Sequence, residues 1–267
     1  VQLLAPDDPA YLAAMAEQAL AHRRFGPKDV QSATYRVSGR VEMAVRGWLA
    51  ERVPILPERV IGAQVLYRGE RSYTALFLEL DAVQGRDGIP TRVFEVKFTS
   101  NAAALRRGFA QLARASSLLE TRYDRIDTAV VLVQAQHGPL VIDDPRLEDV
   151  VPVDPESLVG DGALPPRALL RLDPEWLVPF LGEEDRALLQ AARQEGDANV
   201  LARLERSAAI ERGEEVALPV PPARSGVTLS FGDGSEGADD ELADSPFAAL
   251  RSLAGGGGPE RGGATDG

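Results

Sequence analysis

The chain has 267 residues, 44% of them apolar, no cysteine, and a formal net charge of −12. This length and apolar fraction suffice for a sizeable buried core, while the missing thiols exclude disulfides, thiolate zinc sites and a cysteine nucleophile. No apolar run approaches the roughly 18 residues of a membrane span and nothing near the start reads as a secretory leader, so the expected location is cytoplasmic, with no membrane partner.

The acidity is uneven. Up to residue 139 there are 18 Lys/Arg against 15 Asp/Glu, and from residue 140 onward 11 against 26. The front half is compatible with a phosphate-bearing partner, and the acidity belongs to the second half.

In chain order, PAYLAAMAEQALAHRRFG predicts an Ala-rich helix ended by Gly26 and Pro27. A second helix is predicted over 35–52, with Val37, Val41, Ala44, Val45 and Trp48 on one stripe. Three strands follow, RVIGAQVLYRG, SYTALFLELDAV and TRVFEVKF, with QGRDGIPT as the loop of a hairpin between the last two. A helix over 102–120, capped from among Thr99, Ser100 and Asn101, buries Leu105, Phe109, Leu112 and Leu119. DTAVVLVQA then reads as a strand buried on both faces.

Beyond residue 139 prolines break the pattern into short segments, followed by one or two polar helices within 183–215. The expected organisation is a first domain over 1–139, a mostly helical acidic appendage over 140–218, and a disordered Gly-rich acidic tail over 219–267. Within that tail DSPFAALRSLA, residues 244–254, could fold as a short amphipathic helix in a protein partner's groove.

Only Lys28 and Lys97 are lysines among the 29 basic residues. A compact ammonium in the apolar strand VFEVKF, two residues after Glu95, is therefore a chemical choice. Strand alternation puts Glu95 and Lys97 on one face, and Glu79 and Asp81 of LELDAV together on a face of the preceding strand. In a hairpin, Asp81, Glu95 and Lys97 converge, and a divalent cation bound with waters and phosphate oxygens would relieve the repulsion between the acids. Neither lysine follows a Gly-rich run, so there is no P-loop; Gly-x-Ser-x-Gly is also absent, and neither His22 nor His137 is assigned a catalytic role.

With Asp81 closing one strand and Glu95-Val96-Lys97 on the next, in the order helix, three strands, helix, strand, the chain resembles the PD-(D/E)xK nuclease superfamily from about residue 35 to 136. The resemblance implies an α/β restriction-endonuclease-like core, a mixed sheet flanked by helices. It implies Mg²⁺-dependent, or Mn²⁺-dependent, hydrolysis of DNA phosphodiester bonds. Asp81 and Glu95 would be metal ligands, Glu42 an accessory ligand, Lys97 the residue that positions the attacking water, and Gln111 a further site residue on the helix after it. Arg107 and Arg114 share the side of that helix that carries Gln111, with Arg106 adjacent, and could contact phosphates, or form an ordinary solvated face. Two other readings stay open: a cross-strand ion pair at Glu95, Lys97 and Asp81 with Glu42 paired to Arg46, and a catalytically inactive nuclease-fold module serving protein or nucleic-acid assembly.

Overall fold

A computed structural model of the chain describes residues 1–23, 32–65, 74–138, 144–160 and 162–212. The tail expected from residue 219 and its segment 244–254 lie outside the described residues. The described residues up to Ala63 and from Leu76 onward form one compact unit, and Gln64, Val65, Thr74 and Ala75 are strand ends.

The helices follow their apolar spacing. After β1 (Gln2–Leu4) and α1 (Pro9–Arg23), α2 (Ala33–Ala50) starts at Ser32, whose side chain accepts a hydrogen bond from the Tyr35 N–H at 3.2 Å. It buries Val37, Val41, Ala44, Val45, Trp48 and Leu49. Helix α3 (Ala102–Leu119) is capped by Asn101, which accepts from the Ala103 N–H at 2.8 Å, and it buries Leu105, Phe109, Leu112 and Leu119 as expected.

The predicted strand SYTALFLELDAV is two strands. β3 (Thr74–Glu79) joins β1 and β2 (Val60–Val65) in a three-stranded sheet, whereas β4 (Ala82–Arg86) pairs antiparallel with β5 (Ile89–Thr99) in a five-stranded one. The break falls at Leu80 and Asp81, where the Leu80 N–H donates to the Arg59 carbonyl and the Asp81 side chain takes the place of a ladder partner for Val96. The hairpin loop is shorter than expected. Only Asp87 and Gly88 turn, with φ of 53° and 73°, the pair of positive angles that a two-residue type I′ turn requires.

The five strands run in the order β4-β5-β6-β8-β7, with β6 (Asp127–Gln134), β8 (Ala168–Leu172) and β7 (Val151–Val153). All of its pairings beyond the hairpin are parallel, so the sheet is mixed, and helices cover both faces. On one side α3 packs over Val93, Val130, Leu132 and Leu169; on the other α2 and α4 (Glu183–Glu211) pack over Phe94, Val96, Val131 and Leu170.

Residues beyond 139 pack into the same core as those before it. β8 lies directly beside β6, and Leu158, Leu164, Leu177, Leu181, Leu189 and Ala192 enter the same core as α2. Arg92 of β5, only 4% exposed, donates to the carbonyls of Leu158 at 3.0 Å and Gly162 at 2.9 Å, tying the two halves together. The region expected as one or two polar helices is a single helix of 29 residues, α4. It lies so close to the end of β6 that a Cβ on Gly196 would stand 1.7 Å from the Ala135 carbonyl oxygen.

Candidate active site

Strand β5 alternates as expected: Phe94, Val96 and Phe98 enter the core under α2, and Glu95 and Lys97 share the α3 side with Val93. Glu95 is 7% exposed, and its Oε1 accepts from Lys97 Nζ at 2.6 Å. Asp81 follows the end of β3 and falls one position before the Ala82–Phe94 pair, which sets it opposite Glu95. Its Oδ2 accepts from the Val96 N–H at 2.6 Å, and its own carbonyl accepts from Arg46 Nε at 2.8 Å.

Glu42, half-buried on α2, completes the group. Burial pushes its carboxyl up to about 7, with the Asp81 charge adding to the effect and Lys97 and Arg46 opposing it. Glu95 is likewise raised to about 7, first by burial, then by Asp81, against the pull of Lys97. Burial also raises Asp81, although the Val96 N–H and Lys97 favour its charged form. Three acids around one ammonium thus hold protons more tightly than exposed carboxylates do, and a positive charge placed among them would release those protons.

Carboxylate oxygens are the donors a hard cation takes. Asp81 uses Oδ2 and Glu95 uses Oε1 within the protein, leaving Asp81 Oδ1 and Glu95 Oε2 with no hydrogen bond among the described residues. Among the described residues no three Asp, Glu or His side chains gather tightly enough to hold an ion by themselves. Mg²⁺ commonly takes one or two carboxylates and completes its octahedron with waters and substrate phosphate.

Other expected residues scatter around this group. Glu79 closes β3 in the other sheet; its carboxylate accepts from Tyr11 Oη at 2.6 Å and pairs with Arg59, and its charge adds to the raising of Asp81 and Glu42. Gln111 is half-buried on α3, and no hydrogen bond joins it to Asp81, Glu95 or Lys97. Arg106 is bound to Asp144 at 2.9 Å; Arg107 and Arg114 are half-buried, and burial lowers the pKa of Arg114. The helix face that carries them is thus more enclosed than a solvated one.

Two contributors go beyond the residues expected from the sequence. Arg46, expected only as a possible partner for Glu42, fixes the Asp81 backbone with its guanidinium instead. Gly108, in the middle of α3, lets the helix approach Lys97: a Cβ there would lie 3.2 Å from Lys97 Cε and 3.3 Å from Val130 Cγ2. A glycine inside an otherwise strong helical pattern, RRGFAQLARA, is the sequence signal for it.

No family model matches the chain, and no curated protein or solved structure matches it.

Proposed function

We propose that the chain is a metal-dependent nuclease that hydrolyses DNA phosphodiester bonds. The observation that carries this reading is the meeting of Glu95, Lys97 and Asp81 at the β4–β5 junction, with Glu42 within electrostatic reach. Mutually repelling acids that burial discourages from ionising are a costly way to hold a sheet together, and such groups concentrate where chemistry is done. The succession α2, β2, β3 with β4, β5, α3, β6 also supports a restriction-endonuclease-like core, to which β8 and β7 would be additions and in which β2 and β3 would sit in a sheet of their own.

In this reading Asp81 and Glu95, with Glu42 at the margin, would hold Mg²⁺ or Mn²⁺. When bound, the cation supplies Lewis acidity to the phosphate oxygens. Lys97, oriented by Glu95 and packed beside Gly108, presents its ammonium to an attacking water and to the charge that develops on the phosphoryl group. Gln111, Arg107 and Arg114 line the neighbouring helix as contacts for substrate phosphates.

The test is cleavage of circular, linear and single-stranded DNA with Mg²⁺ or Mn²⁺. Cleavage that disappears in Asp81→Ala and Lys97→Ala while both variants stay folded supports the nuclease. The engagement of Lys97 by Glu95 and of Arg106 by Asp144 favours a second reading, a non-catalytic module of this fold used for assembly. Absence of both cleavage and DNA binding across substrates and metals would decide for that module.

A further inference from the structure

The carboxyl ends of β6 and β8 enclose a polar cavity of about 150 Å³, lined among others by Gln134, Gln136, His137, Arg171, Asp173 and Arg193. Leu147, in the connection after β6, packs on the α3 side of the sheet, whereas Leu177, after β8, packs on the α2 side. Adjacent parallel strands whose connections leave in opposite directions open a crevice at their carboxyl ends, the usual place for ligands in such sheets.

The lining is rich in donors. Arg193 of α4 is 12% exposed, and among the described residues its guanidinium makes a 3.5 Å contact with the exposed Glu175. Arg171 of β8 is exposed and makes no ion pair among the described residues. His137 is fixed by Asp197, which accepts from the backbone N–H at 2.9 Å and from the ring at Nδ1, 2.6 Å away. An ionised carboxylate can only accept, so Nδ1 carries the proton and Nε2 is the ring nitrogen that Asp197 does not hold. The lining also holds an acid, Asp173, whose Oδ1 caps the Glu175 N–H at 3.0 Å and whose charge the two guanidiniums must outweigh.

We propose that this cavity binds a small tetrahedral oxyanion of the phosphate class. Donors come from three elements, β8, α4 and the turn after β6, and two of them are guanidiniums, whose forked N–H groups match the oxygens of a phosphate-class anion. The volume exceeds the roughly 30 Å³ share of one water several-fold, so such an anion fits. The anion could be free phosphate or the terminal phosphate of a nucleotide chain.

The experiment titrates inorganic phosphate into the full chain in chelator, at constant ionic strength, following heat and the His137 ring resonances. Saturable binding is expected, weakened about tenfold or more in Arg171→Gln and in Arg193→Gln. Arg171 is exposed, so its variant tests the site even if Arg193→Gln fails to fold. Oligonucleotides with a 5′-phosphate or a 5′-hydroxyl then separate the sources: preference for the phosphorylated end assigns the site to nucleic-acid termini, and equal weakness of both beside tight free phosphate assigns it to a small ligand. No saturation by about 10 mM phosphate, or binding unchanged in Arg171→Gln, would overturn the proposal. Neither metal nor cleavage enters the assay, so its outcome is independent of whether the chain is a nuclease.

Discussion

The Val96 N–H donates to Asp81 Oδ2 at 2.6 Å, so the β4–β5 ladder is continued for one further step by a side chain. The same carboxylate therefore has two duties, holding the sheet and facing Glu95.

Those duties separate by substitution. Asp81→Asn keeps an acceptor for Val96 and removes the charge, so the fold is expected to survive with an equal or higher melting temperature, while activity is lost. Asp81→Ala leaves a buried N–H without a partner and is expected to cost about 1–3 kcal/mol in denaturant titration. Equal stability of the two variants would show that the hydrogen bond contributes nothing.

Metal-free stability should fall with rising pH. Glu42 and Glu95 hold protons to about 7 in the folded chain, against the ordinary 4.5. Between these values the folded state binds more protons than the unfolded one. The stability these groups contribute is complete below 4.5 and is lost as pH rises through 7. Thermal melts from pH 5 to pH 8 should show a declining midpoint, with a shallower decline in Glu95→Gln and recovery at pH 8 on adding Mg²⁺. The lowered carboxyls of Asp144, Asp149 and Asp197 lose their contribution only at more acid pH, outside this window.

Gly108→Ala places a methyl 3.2 Å from the Lys97 stem, a flexible neighbour that can shift. The expected result is a melting temperature within a few degrees of the parent, because alanine favours the helix by about 1 kcal/mol and offsets part of the crowding. On the proposed nuclease reading, cleavage should nevertheless drop about tenfold or more, since a displaced ammonium would no longer meet the attacking water. Loss of activity only in proportion to loss of folded protein would remove Gly108 from the site.

Gly196→Ala meets backbone rather than a side-chain tip, with the new methyl 1.7 Å from the Ala135 oxygen. Helix α4 must move away from β6, at an expected cost of about 3 kcal/mol or more, read by chemical denaturation. Loss of the His137–Asp197 contact should accompany it, visible as a change in the His137 ring resonances.

Much of this fold is legible in the chain itself. Alternation places Glu95 and Lys97 on one face, and the spacing of Leu105, Phe109 and Leu112 marks α3 as amphipathic. The strand break at Asp81 is not legible, because residues 72–83 are continuously strand-like and the break depends on bonds from Arg46, Arg59 and Val96, distant in the chain. The hairpin loop looks longer in sequence than it is because Gln84, Arg86 and Thr91 are polar, although only Asp87 and Gly88 adopt the turn. Past residue 139, acidic surface residues dominate the average, while the buried ones, Leu158, Leu164, Ala168 and Leu170, stand between prolines and glycines without a clear period.

Because β8 completes the pairing of β6, the candidate catalytic group cannot be excised with the first 139 residues. Cutting there would strip one edge from Val130–Val133, expose the apolar run to edge-to-edge association, and leave the Arg92 guanidinium in the interior without the carbonyls that satisfy it. The acidic half is a wall of the same building, and the chemistry proposed for β5 stands or falls with it.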